Sequence, residues 1–237
     1  MPRSHSRPLI LLPPSESKAA DGDGPTWRRG TMTDAALDGP RSQLLPLARR
    51  AGASRPRAAT MPAIERYTGV LYGELDWSSL DAAARRRGAT DIRVVSGLWG
   101  LVAPADPIPH YKLKMSTSFE GTGKLSTWWR PRLAPTMAAL SAGRVVWDLL
   151  PLEHSAAVDW SKAPPHRRIT VRFVDRHDRT VSHWNKLLKG AVVRWLLTEQ
   201  PPGPEALEHF EHPAGYRLDV EGSTFGEIEV ALVMRST

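Results

Sequence analysis

Between Arg93 and Met115 the chain reads RVVSGLWGLVAPADPIPHYKLKM, and this stretch constrains the fold more than any other. Ile92 to Val95 is a short apolar run of strand type that breaks at Ser96-Gly97. A run closed by a turn signal predicts a buried strand whose C-terminal end opens into a loop. Gly97 and Gly100 bracket Leu98-Trp99, and Pro104, Pro107 and Pro109 keep the chain out of helix as far as Tyr111-Lys112-Leu113-Lys114. The expectation is a stiff loop that presents a polar, basic surface at a strand end, where sites are usually built.

Around this stretch, strand and helix signals alternate. Leu9 to Leu12 predicts a first buried strand running into the polar turn Pro13-Pro14-Ser15-Glu16-Ser17-Lys18. Residues 19–61 are loop-rich apart from a short helix over Gln43 to Ala51. Leu75 to Arg87 reads as an amphipathic helix closed by Gly88. Within Lys124 to Leu140, the pair Trp128-Trp129 reads as core, and Pro131 is expected to begin a helix rather than continue one. Arg144 to Leu150 is a strand. Arg168 to Val174, a charged turn at Asp175 to Arg179 and a return strand over Thr180 to His183 predict a β-hairpin. Asn185 to Leu197 is a helix, Glu205 to His212 a shorter one, and Tyr216 to Val220 with Ile228 to Met234 a last strand pair. The pattern implies a mixed α/β (α+β) chain, one compact domain over 1–237 with a mixed central sheet.

At 237 residues with 41% apolar content the chain can bury a sizeable core. It has no apolar run of 18 residues, so no membrane span is expected. The basic start before Leu9 imitates a signal peptide, but Leu9 to Leu12 is too short for its apolar region, which points to a cytoplasmic protein. The absence of cysteine excludes disulfides, thiolate metal sites and thiol peroxidase chemistry by this chain alone. His209 and His212 could share one helix face, yet no third ligand is in view, so neither a metal nor a cofactor is expected. Thirty-two Lys and Arg against 25 Asp and Glu leave a net charge of +7, which favours polyanions as partners. No phosphate-loop, nucleophile-elbow or dinucleotide fingerprint is present.

The central stretch, S-G-L-W-G-L-V-x-P-x-D-x-I-x-x-Y-K-L-K-M, resembles the signature of the YaaA family of peroxide stress proteins. Ser96, Gly97, Leu98, Gly100, Pro104, Asp106, Ile108, Tyr111, Leu113 and Met115 match it, Lys112 stands for Arg, and Lys114 replaces a Glu. Three further blocks carry the resemblance: Pro14-Ser15-Glu16-x-Lys18, Arg66-Tyr67-Thr68-Gly69, and a lysine block matched by Lys186, Lys189, Gly190 and Arg194. Glu153 keeps its place where His154 stands for a common Tyr, and Arg130-Pro131 replaces Gly-Asp. The resemblance implies a YaaA-like fold and a DNA-binding protein of the response to hydrogen peroxide, with DNA held in a basic cleft. It also implies a helix-hairpin-helix element before Arg66, although Ala51 to Pro56 lacks the usual glycine hairpin pattern.

The candidate polar site is therefore Ser15, Lys18, Arg66, Tyr67, Ser96, Gly97, Tyr111, Lys112 and Glu153. A lysine held at a strand end can meet a phosphate, a carboxylate or a carbonyl, and Arg66 with Tyr67 could clamp a phosphate or serve as helix end and core. On a helical wheel Asn185, Lys186, Lys189, Gly190 and Arg194 share one half, and the apolar residues share the other. That basic face is expected to bind phosphate, with Gly190 leaving room for a ligand. A second reading makes Lys18, Arg66, Ser96, Tyr111 and Lys186 the active site of an enzyme for a nucleotide, nucleobase or other small anion.

Overall fold

The computed structural model describes residues 7–236 except 56 and 181, with the backbone alone at 182 and 183. The basic start of the chain, Pro56 of the Ala51–Pro56 turn and Val181 of the expected return strand lie outside the described residues. In chain order the elements are β1 (Leu9–Leu12), α1 (Asp38–Arg50), β2 (Thr60–Pro62), α2 (Ala63–Arg66), α3 (Val70–Leu75) and α4 (Ala82–Asp91). Next come β3 (Ile92–Ser96), β4 (Gly100–Val102), β5 (Pro107–Pro109), β6 (Ser118–Phe119), β7 (Gly123–Lys124) and α5 (Leu125–Ser141). The chain continues through β8 (Val145–Asp148), α6 (Leu152–Ser155), β9 (Arg167–Val174), α7 (Ser182–Glu199), β10 (Tyr216–Phe225) and β11 (Glu229–Ser236).

Four apolar residues in a row make β1 buried on both faces, the pattern of an interior parallel strand. It pairs in parallel with β3 on one side and β8 on the other. The whole sheet runs β10-β11-β9-β8-β1-β3-β4. Its five inner strands are parallel, and each edge is closed by an antiparallel neighbour, β4 on β3 and β10 on β11. The fold is a mixed α/β domain with a mixed central sheet, and α7 packs on α3, α4 and β9.

Several local expectations change in this setting. The stretch after Ser96 is largely core rather than surface: Leu98, Trp99, Leu101, Val102 and Ile108 are fully buried, leaving mainly Lys112 and Lys114 exposed. Gly100 turns the chain at φ +69°, open to glycine and strained for other residues, so β4 folds back on β3 with Trp129 against the turn. Buried Arg41 on α1 donates to the carbonyls of Trp99 and Leu101, tying the 19–61 region to this loop. After α1 the chain turns at Gly52 and Ser54 bridges to Tyr111, so among the described residues no second helix follows before α2.

Pro131 does not begin a helix, because α5 starts at Leu125 and runs through both Pro131 and Pro135. Leu125, Trp129, Leu133 and Met137, one turn apart, are all fully buried. Burial worth about 2 kcal/mol for each outweighs the ~3 kcal/mol of each interior proline. The helix expected over Leu75 to Arg87 is broken at Asp76, in the left-handed region at φ +44°, and α4 restarts at an Asp81 cap and runs past Gly88 to Asp91. The expected β-hairpin is a strand-to-helix connection. β9 is taken on both sides by parallel partners, and among the described residues the return is a single bridge, Val174 to Thr180, before α7 begins.

Candidate functional site

Strand order reverses at β1, with β3 and β8 on opposite sides, and open α/β sheets hold ligands outside the C-terminal ends of strands at such a point. A cleft of about 730 Å³ lies there. The segment after β1 (Pro13 to Lys18) forms one wall and the segment after β8 (Leu149 to His154) another. Lys112 to Lys114, the start of α3, and Asn185, Lys186 and Lys189 of α7 complete it. Five lysines from separate parts of the chain, Lys18, Lys112, Lys114, Lys186 and Lys189, thus face one space that also holds Glu16 and Glu153.

Lys18 is the most constrained of them. Its Nζ donates to Ser15 O at 2.5 Å and lies 4.4 Å from the ring centre of Tyr111 and 5.5 Å from that of Tyr67. A backbone bridge between Lys18 and Tyr67 fixes this arrangement. The two phenols are 2.8 Å apart, and Tyr111 Oη lies 2.7 Å from Ser96 Oγ. Ser96 Oγ accepts from the N–H groups of Leu98 and Trp99, which leaves its own proton for Tyr111. Burial lowers the Lys18 amine to a pKa of about 8; Glu16 opposes this, and Lys112 and Arg66 add to it. Burial also pushes Tyr111 up to about 12 and Tyr67 well above the usual phenol range, so both stay protonated.

On the opposite wall Lys189 Nζ donates to Leu149 O at 2.9 Å. Burial lowers this amine to about 8 as well, against the pull of Asp148. Asp148 is itself held by Arg168 through Nε at 2.9 Å and a second nitrogen at 2.6 Å. His154 is buried, with its Nδ1 making no hydrogen bond among the described residues and Glu153 Oε1 at 3.5 Å. Its pKa is lowered by burial, with Glu153 opposing. Asn185 Oδ1 is a second buried cleft atom without a hydrogen bond there. At the mouth, exposed Lys114 and Glu16 pair at 3.5 Å, while the Lys112 and Lys186 ammonium groups have no ion pair among the described residues.

The expected site residues divide cleanly. Ser15, Lys18, Lys112, Glu153, Asn185, Lys186 and Lys189 line the cleft, with Tyr67, Tyr111 and Ser96 behind Lys18. Gly97 lies beneath, packed on the Lys114–Met115 peptide, and its carbonyl accepts from Trp129 Nε1 at 2.8 Å. Arg66 does not reach the cleft: it is fully buried, and its guanidinium donates to the carbonyls of Ala19, Asp21, Ala59 and Ile108. Arg194 also lies off it, donating to Leu75 O and Asp76 O at the end of α3. The space at Gly190 is occupied by the backbone of α3 at Leu71, where a ligand had been expected. Sequence reasoning left His154 out of the candidate site, its signals being its place after Glu153 and its standing for a common Tyr, and the structure puts it in the cleft wall. Among the described residues no three His, Asp or Glu side chains gather as a metal would need, and His212 instead meets Glu74 at 3.1 Å. No described helix is long and apolar enough to cross a membrane.

The family described as peroxide stress protein YaaA matches residues 43–221. The chain belongs to the YaaA family. A UPF0246 protein of Streptomyces coelicolor is 35% identical over 92% of this chain and 94% of its own length. One from Corynebacterium efficiens is 31% identical over 90% and 94%, and one from Cereibacter sphaeroides 31% over 76% and 72%. Of the blocks that resemble YaaA, those holding Lys18, Tyr111 and Lys186 meet at the cleft, whereas Arg66 and Arg194 serve the scaffold beside it.

Proposed function

We propose that this YaaA protein acts in the response to peroxide by binding DNA through the lysine-lined cleft. The observation that carries the reading is the convergence of five lysines, two of them exposed and unpaired among the described residues, on one space at the C-terminal edge of the sheet. Phosphates displace counterions from such a surface, so affinity should fall steeply with salt and depend little on base sequence. The test is fluorescence anisotropy with single-stranded and duplex oligonucleotides over a salt series. Replacing Lys112 and Lys186 together by Ala is expected to weaken binding and to lower the log–log salt slope by about two. A flat salt response, or a double variant that keeps affinity and slope while folded, would count against the reading.

A second reading, an enzyme for a nucleotide or other small phosphorylated substrate, draws on the cleft's size. About 730 Å³ falls in the range of small-ligand pockets and is short for a length of duplex. Competition decides between them: a mononucleotide that displaces the oligonucleotide at equal phosphate concentration favours the small substrate.

A further inference from the structure

We propose that Lys18 is a nucleophile whose ε-amine condenses with the aldehyde of a phosphorylated pentose seated in the cleft. The inference rests on the anion-binding reading above and deepens it. Among the five lysines, Lys18 is held against the faces of two tyrosines and tethered to Ser15 O, so its nitrogen has a defined position at the cleft wall. The carboxylate nearest it in sequence, Glu16, is turned to Lys114 at the mouth. Lys189 is tethered too, but among the described residues no aromatic face lies against its amine, whereas two lie against that of Lys18. Lys112 and Lys186 remain for the phosphate.

In the step, the lone pair of Lys18 Nζ attacks the carbonyl carbon to form a carbinolamine. The carbon–oxygen bond then breaks, the oxygen leaves as water with the two amine protons, and a carbon–nitrogen double bond remains. Protonated, this imine is a cation, and the rings of Tyr67 and Tyr111 that hold the ammonium would stabilise it equally. The amine is suited to attack, since a pKa of about 8 leaves about a tenth of it uncharged at neutral pH, against well under ~0.1% for an ordinary lysine. The same chemistry reaches the cleft from two sources: a free aldopentose phosphate, or the ring-opened sugar of an abasic site in a DNA strand.

Borohydride reduction tests this. The full-length chain is incubated with ribose 5-phosphate in one arm and with an oligonucleotide carrying one abasic site in the other, reduced, and mapped by peptide mass spectrometry. At least one arm should yield an adduct mainly at Lys18, several-fold above Lys189 and the other lysines, because only there do two ring faces hold the cationic imine, and the arm that does so identifies the source. Lys18→Arg should abolish the adduct. If that variant does not fold, the map of the unaltered chain decides alone. Adducts spread over Lys112, Lys186 and Lys189 would overturn the proposal. So would no adduct from a chain that binds a strand with a tetrahydrofuran abasic analogue, which lacks the aldehyde; the anion cleft would then stand without the imine. A chain that binds neither strand and traps neither sugar loses both readings.

Discussion

Lys18 and Lys189 each give up water on folding, and the stability of the chain should carry the mark. With folded pKa values of about 8 against about 10.5 unfolded, the unfolded state binds more protons between those limits, so stability from these groups rises with pH across that window. Tyr67, Tyr72 and Tyr111 act in the opposite sense. Their raised pKa values let the folded chain keep protons that the unfolded chain loses above about 10, so stability falls beyond that point. Around Lys189 the opposing charge is Asp148; around Lys18 the neighbours are Glu16, Lys112 and Arg66. The thermal midpoint should therefore climb from about pH 8 to about pH 10 and then drop. Lys189→Met should be more stable at neutral pH by ~2 kcal/mol and show a shallower climb. A wild-type midpoint that is level over this range would refute the assignment. Lys18, Ser96 and Tyr111 were legible as a group because the first two follow apolar strand runs at turn signals and the third ends the loop after the second; in the structure Tyr111 bonds Ser96 and lies under the Lys18 amine. Arg66 and Arg194 were not, because their partners are backbone carbonyls, which every residue carries and no sequence marks.

Among the elements, α7 shows how a correct period can still mislead. Its wheel separates an apolar from a basic half, and the helix forms over Ser182–Glu199, yet part of the basic half meets protein. Leu71 O of α3 fills the space beside Gly190, and Arg194 caps the end of that same helix. Gly190→Ala would drive a methyl group into backbone that cannot retreat, so denaturant unfolding should show a loss of about 3 kcal/mol. If a ligand rather than α3 used that space, the variant would keep its stability and lose only binding. α5 and the β9–α7 connection carry the complementary lesson. Proline cost and strand alternation are local signals, and here the burial of Trp129 and the parallel partners of β9 outweigh them.

For the molecule as a whole, the last two strands complete the sheet rather than decorate it. β11 lies parallel on β9 from Arg168 to Val174, and β10 closes the outer edge. A chain ending before Tyr216 would leave β9 as an open edge backed by buried Ile169, Val171 and Phe173, so light scattering should find it associated where the full chain is less so. Equal masses per particle for the two chains would contradict this. The apolar run Leu9 to Leu12 is local, and burial of both its faces follows from composition, whereas Ile92 to Val95 carries Arg93, whose burial depends on its ion pair with Asp34; the sequence of strands and helices, the mixed α/β class and the lysine-bearing blocks were determined by the sequence. Which blocks meet was decided only by the tertiary structure. Residues after β1, β8 and β9 become neighbours because parallel pairing aligns the C-terminal ends of those strands, and pairing is a property of register between distant segments. The same arrangement strips water from Lys18 and Lys189, a change no isolated lysine in a sequence can announce.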